Sequence, residues 1–249
     1  MANNELSGPV VATALAKWLT EISNLRYSYR FVFIPETIGS IAYLSKQIKY
    51  LQKYVIAGFN ITCVGDDLCY SYIPSRAGDT LSDKVALHVL KHTDINFKKY
   101  SWLDRGSDER QYCAPGVDLP VVNMMRSKHG TYPEYHTSLD NLDFISPSGL
   151  EGGLKIHANA IKIIEKNRTV KCRVLCEPQL GKRNLRPDIG LKDNINRVRT
   201  LMNILSLCDG ELSVLEIAQE INEPFKIVNE IVDDLITHDL LEIISVNRN

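Results

Sequence analysis

The chain has 249 residues and a mass of 28.1 kDa, which bounds it to one large domain or a main domain with a small companion. Its 44% hydrophobic, 24% charged and 8% aromatic residues are an ordinary globular composition and exclude a disordered, fibrous or coiled-coil chain. A total of 29 Lys and Arg against 30 Asp and Glu leaves a net charge of −1, so no overall field favours nucleic acid, an anionic membrane or an acidic polymer.

From the amino terminus, Met-Ala-Asn-Asn-Glu-Leu-Ser-Gly has neither the basic start nor the apolar run of a secretory signal. Lys17, Lys46 and Lys84 break the longest apolar windows before they reach membrane-spanning length. A cytoplasmic protein without a membrane segment is expected. Periodicity predicts a helix over Leu6 to Ile22 and a short strand over Tyr29 to Ile34, stopped by Pro35. Thr37 is placed to cap a second helix carrying Ile38, Ile41, Ala42 and Leu44. A β-rich run from Val55 to Val64 follows, then a helix over Ser82 to His92, a strand over Asn96 to Leu103 and an unbroken apolar strand over Leu119 to Met125. A long amphipathic helix from about Gly149 to Lys166 would cover one face. Strands alternating with helices imply an α/β fold with a mostly parallel mixed sheet. Asp66 to Thr80, Asp104 to Gly116 and Arg126 to Pro147 read as long loops, the places where ligands bind in such sheets.

An α/β domain over residues 1–176 is expected, then a linker over 177–195 containing Pro178, Gly181, Pro187 and Gly190, then a small domain over 196–249. This last part reads as a helix (Arg197 to Cys208), the turn Asp209-Gly210, a helix capped by Ser213, a break at Asn222-Glu223-Pro224, a helix to His238 and a strand over Leu240 to Ser245. That order is winged-helix-like. Residues 196–249 carry a net charge of −6, and Glu230, Asp233 and Asp234 on the helix that would read DNA outweigh Lys226, so phosphates would be repelled. A structural or protein-contact role is expected, with no nucleic acid partner.

The six cysteines (63, 69, 113, 172, 176 and 208) lie in apolar stretches and read as buried thiols. Cys172 and Cys176 lack the spacing and second pair of a zinc knuckle, and His88 and His92, lacking a zincin glutamate, read as a surface helix face. Among polar constellations, Arg105-Gly-Ser-Asp108-Glu109-Arg110 before the apolar strand and Tyr132-Pro-Glu134-Tyr135-His136-Thr137 after it would bring Asp108 and His136 to one sheet edge, a donor pair suited to zinc. Glu36, at a strand-to-helix junction, reads either as a general base in a cleft or as a first-turn glutamate favoured by the helix dipole. Asn4 and Glu5 read by themselves as capping residues.

These pieces together, Asn4-Glu-Leu-Ser-Gly, Phe-Ile-Pro-Glu36-Thr-Ile-Gly-Ser, Gly-Ser-Asp108-Glu-Arg-Gln-Tyr and Tyr135-His136-Thr-Ser-Leu-Asp140, resemble the two-zinc aminopeptidases of the bacterial leucyl and Streptomyces type. More closely, they resemble the carboxyl-terminal part of aminopeptidase-like proteins that bear a winged-helix tail and are often encoded near polysaccharide-biosynthesis functions. The resemblance implies a zinc-dependent hydrolase of a peptide or aminoacyl amide. It casts Glu36 as general base or ligand, Tyr135 as an oxyanion donor, and Glu5, Asp108 and His136 as metal ligands. It also marks departures. Asn4 stands where the family has a bridging aspartate, Thr37 where it has a second glutamate, Thr62 where it has an aspartate ligand, and the family's first metal histidine lies upstream of Asn4. In an intact site zinc would lower the pKa of a bound water while Glu36 shuttled its proton, and the loop Asp66 to Thr80, with Arg76, would cover it. A peptide or aminoacyl small molecule is the expected substrate, with self-association into a homo-oligomer left open. The competing expectation is a non-catalytic protein that keeps the fold and binds a peptide, amine or sugar in the same cleft.

Overall fold

Ser7–Thr20 forms the first helix, α1, because Val11, Leu15 and Leu19 recur on one face and bury against Val64 and Ile161. The structure, a computed structural model, describes residues 1–183, 185 and 192–245. It divides into two units, Met1–Glu165 and Lys166–Asn249.

In the first unit a π-turn over Ala2–Leu6 leads into α1. The remaining helices are α2 (Ile38–Tyr54), α3 (Leu81–Lys91), α4 (Glu109–Tyr112) and α5 (Pro147–Lys166). Leu44 and Leu51 of α2 pack on Cys113, Leu119 and Val121. Thr80 and Asp83 close a reciprocal cap on α3. Strands β1 (Gly58–Asn60), β2 (Ser71–Ile73), β3 (Lys98–Lys99) and β4 (Val121–Met125) form a mixed sheet in the order β1-β4-β2-β3. β1 and β4 are parallel, β4 and β2 antiparallel, β2 and β3 parallel. Every residue of β4 is buried, as an unbroken apolar run predicts. Phe59 meets the ring of His157 on α5 edge-on, so Asn60, one residue along the strand, projects from the opposite face toward α4.

Several expected elements differ. Tyr29 to Ile34 is not a strand. Side chains from Leu25 to Val32 alternate between half-buried and exposed, and Tyr29 and Phe31 pack against the α1 core, yet the segment has no ladder partner among the described residues. A strand needs a neighbour, and alternation alone cannot supply one. Conversely, β2 lies inside the expected loop Asp66 to Thr80. Three residues are too few for a periodic signal. They are fixed by pairing on both sides and by the Tyr72 hydroxyl donating to Asp83 Oδ1 at 2.6 Å. The runs Val55 to Val64 and Asn96 to Leu103 pair only over β1 and β3, and the second ends in a 3-10 turn at Trp102–Asp104.

In the second unit β5 (Thr169–Cys172) is the centre of an antiparallel sheet, flanked by β6 (Asp209–Ser213) and β7 (Leu241–Ser245). Helices α6 (Lys192–Leu207), α7 (Val214–Glu220) and α8 (Phe225–Thr237) complete it. Ser213 and Glu216 form the cap that starts α7, and Asn222 at φ 57° followed by Pro224 separates α7 from α8. The two units part ahead of the boundary expected after residue 176, because the last apolar run before it, β5, finds both its partners in the carboxyl-terminal unit. Of the expected linker 177–195, Leu180–Arg183 forms a 3-10 turn with Leu180 buried, and residues 184 and 186–191 lie outside the described residues.

The cysteines are all free thiols; Cys63, Cys113 and Cys208 are buried as expected, but Cys69 and Cys172 are half-buried and Cys176 is exposed. His88 is buried rather than on a surface face. Among the described residues no helix is long and apolar enough to cross a membrane.

Candidate functional site

Asp108, ending the Gly-Ser-Asp loop, serves the start of α2. Its Oδ1 accepts the Thr37 N–H at 2.7 Å and the Ser40 hydroxyl at 2.9 Å. Thr37 occupies the N-cap position as expected, but its own hydroxyl does not cap. It accepts instead from Arg110 Nη2 at 2.6 Å. The carboxylate of a distant loop therefore supplies the negative charge that the helix amino terminus favours. Arg110 Nη2 also stands 3.9 Å from Glu36 Oε1.

Glu36 is half-exposed, and its carboxyl is held above the usual range, first by burial and then by the Asp108 charge, with Glu5 adding a smaller push; Arg110 and a bond from Ser107 oppose them. Burial first, then the nearby Cys63, Glu36 and Glu5, hold Tyr135 above an ordinary tyrosine, so its hydroxyl keeps its proton and is available as a donor. Glu5, Glu36, Asp108, Arg110 and Tyr135 thus share one electrostatic neighbourhood. Thr37, Cys63 and His136 around it have φ of 61°, 50° and 58°, a left-handed backbone that branched or bulky residues rarely adopt. Such strain gathers where surrounding structure holds a site in place.

A second set of carboxylates lies nearby in sequence terms but does other work. Asp140 accepts the N–H of Asn3 at 2.6 Å and of Asn4 at 3.1 Å, and the Ala2 N–H donates to its carbonyl. Asp66 is fully buried and accepts from Asn3 Nδ2 at 3.0 Å, the Ser127 N–H at 2.9 Å and hydroxyl at 2.7 Å, and the Leu68 N–H at 3.0 Å. Glu109, also fully buried, accepts the Gly106 and Ser107 N–H groups on Oε1 and Asn60 Nδ2 on Oε2. A Cβ at Gly106 would come within 2.6 Å of the His129 ring, so only glycine lets that loop close.

The proposed ligand trio Glu5, Asp108 and His136 does not assemble a metal site. His136 is exposed and stacks on Tyr135, with ring centroids 4.0 Å apart. Among the described residues no three His, Cys, Asp or Glu side chains are arranged to hold a metal ion. The donor chemistry agrees. Asn4 Nδ2 donates to Glu5 Oε1 at 2.8 Å, the Thr62 hydroxyl donates to the Asn4 carbonyl at 3.0 Å, and the Thr37 hydroxyl is taken by Arg110. Burial pushes the Cys63 thiol up to about 11, so it is no thiolate. With Asn4, Thr37 and Thr62 offering only an amide and hydroxyls, and with no third donor arranged beside the carboxylates among the described residues, the residues present do not make up a zinc donor set. Arg76, expected to cover the site, is instead ion-paired with Asp118. Sequence reasoning assigned no role to Arg110, Glu109 or Asp140; their place inside the Gly-Ser-Asp and Tyr-His-Thr motifs was the available signal.

A family model described as a domain of unknown function, DUF4910, matches residues 1–167, and one described as a winged helix-turn-helix matches residues 168–243. A Clostridium acetobutylicum protein provisionally named a polysaccharide biosynthesis protein with aminopeptidase-like domain is 38% identical over 246 residues, 98% of this chain and 56% of that protein. The chain thus spans little more than half the length of that curated relative. A crystal structure from the same organism, provisionally called a peptidase, matches with a TM-score of 0.87 at 37% identity, covering 98% of this chain and 55% of that one. A zinc aminopeptidase from Bacillus subtilis matches with a TM-score of 0.53 at 19% identity over 65% of this chain and 41% of its own, which shows a shared fold.

Proposed function

Because the chain belongs to the DUF4910 family and combines an aminopeptidase-like fold with a winged helix-turn-helix, we propose that its first unit binds a primary amine, as the terminus of a peptide or aminoacyl compound or on an amino sugar, in polysaccharide biosynthesis. The observation that carries this reading is the shared neighbourhood of Glu36, Glu5 and Asp108, three carboxylates faced by one guanidinium. An ammonium seated there would supply the compensation that Arg110 gives only in part, donating to Glu36 and Glu5, while the Tyr135 hydroxyl donates to a carbonyl or hydroxyl of the ligand. The competing reading is a zinc-dependent aminopeptidase, and one observation favours it: a half-exposed carboxyl with raised proton affinity suits a general base.

Titration calorimetry with leucinamide and glucosamine tests the proposal. Binding is expected for at least one of them, weakened about tenfold or more by Glu36→Gln through loss of a charge-assisted bond, with no zinc retained after dialysis. Stoichiometric zinc together with hydrolysis of leucine p-nitroanilide that Glu36→Ala abolishes would establish the peptidase instead.

For the winged unit we propose a protein-contact or structural role without nucleic acid. Asp233 and Asp234 on α8 pair with Arg168 and Arg197, so the face that would read DNA is acidic and spends its cations within the unit. A cytoplasmic setting without membrane partners follows the same reading of the sequence, and size-exclusion chromatography with light scattering will decide self-association.

A further inference from the structure

Asn123, in the middle of β4, is fully buried, and neither its Oδ1 nor its Nδ2 meets a hydrogen-bond partner in the protein. Leaving a buried amide so is unfavourable for each unmet group, and flipping it merely exchanges the two atoms. Its surroundings are polar. Asn123 is aligned with Asn60 across the parallel β1–β4 pair, so both side chains leave the same face of the sheet, and Asn60 leads to the fully buried Glu109. His129 lies over Gly106 with its Nε2 buried and unpartnered, close enough for the charges of Glu109 and Arg110 to act on it. The Nε of Arg110, one residue past Glu109, is likewise buried without a partner.

We propose that Asn123, His129, Glu109 and Arg110 Nε bound a chamber that binds ordered water, behind the candidate ligand site and joined to it through Arg110. The mixture of groups selects the ligand. A metal cation would be opposed by the N–H groups of Asn123 and Arg110, and an anion by the Glu109 carboxylate. Water donates two hydrogen bonds and accepts two, and it is stable in a protein interior where it finds two to four polar partners. Arg110 is then held at both ends, by water at Nε and by Thr37 at Nη2, which fixes the guanidinium facing Glu36. The inference does not depend on which ligand the outer site takes.

A high-resolution crystal structure of the wild-type protein is the direct test. Ordered water is expected within hydrogen-bond distance of the Asn123 amide and of at least one of His129 Nε2, Glu109 Oε2 or Arg110 Nε. Density showing these side chains bonded to one another, with no water among them, would overturn the proposal. Thermal unfolding of Asn123→Leu gives a second reading. If water bridges the amide to its neighbours, leucine strands those neighbours and Tm falls. If the amide is merely unmet, replacing it with an apolar side chain of the same branching, whose extra bulk an empty chamber can take up, leaves Tm unchanged or raises it, and the chamber is dry.

Discussion

Two carboxylate clusters of the first unit make opposite uses of the same chemistry. Asp66 and Asp140 are buried and surrounded by backbone and side-chain donors, so their charge is spread over many hydrogen bonds and ties the amino-terminal turn to three distant loops. Glu36 and Glu5 are partly exposed, lie near another carboxylate, and find in Arg110 a partial counterweight. The first arrangement holds the fold together, while the second stores unfavourable electrostatics that a cationic ligand would relieve. A carboxylate with a full donor set is architecture, and one short of partners is a candidate for chemistry.

That contrast can be broken at its strongest point first. Asp66→Ala leaves the donors of Asn3, Ser127 and Leu68 unmet inside the protein, and denaturant unfolding should show a loss of about 3 kcal/mol or more. A loss under about 1 kcal/mol would mean the network is decoration.

Acid should sharpen the same division. His157 and His88 are buried neutral and pushed down to about 4, chiefly by desolvation. Their folded values lie below the ordinary 6.5, so the stability they confer is whole above that value and is lost as pH falls toward about 4, up to about 3 kcal/mol each. Stability measured against pH should fall across that window, with a shallower slope in His157→Gln. Glu36 has the opposite sign. Its folded value is raised, so its contribution is complete in acid and declines as pH climbs through the raised value.

Asp140→Asn should lower stability by about 1–2 kcal/mol, because an amide can accept one of the Asn3 and Asn4 N–H bonds but turns its own donor toward the other. The smallest effect is expected for Glu36→Gln, a slight rise in Tm at neutral pH that disappears in acid, alongside its loss of amine binding. A drop in Tm there would place Glu36 with the architectural carboxylates.

The winged unit was nearly readable as written. Ser213 with Glu216, Asn222 before Pro224 and the apolar stripe of Phe225, Val228, Val232 and Leu235 each act within a turn or two of chain, so they mark α7 and α8 wherever the unit folds. The exceptions are β6, where a turn at Asp209-Gly210 was expected, and β5, whose allegiance its own residues do not reveal. In the first unit α1, α2, α3 and α5 were legible for the same reason, and β4 from its unbroken apolar run, whereas the single turn of α4 lies inside the expected loop Asp104 to Gly116. Tyr29 to Ile34 and Ser71–Ile73 were not, because pairing depends on which segments arrive alongside.

What the amino-acid sequence determined by itself was therefore the fold class, the winged tail and the short list of motifs that carry the acids, tyrosines and histidines. Which of those side chains meet was decided only by tertiary structure. Asn3 and Asp140 bond across 137 positions and Thr37 and Asp108 across 71, and these long closures turned an expected metal ligand into a helix cap and left Glu36 facing like charges. Caps and periodicity are enforced by neighbours in the chain; the charge state and partners of a carboxylate are set by whatever the fold brings within about 4 Å.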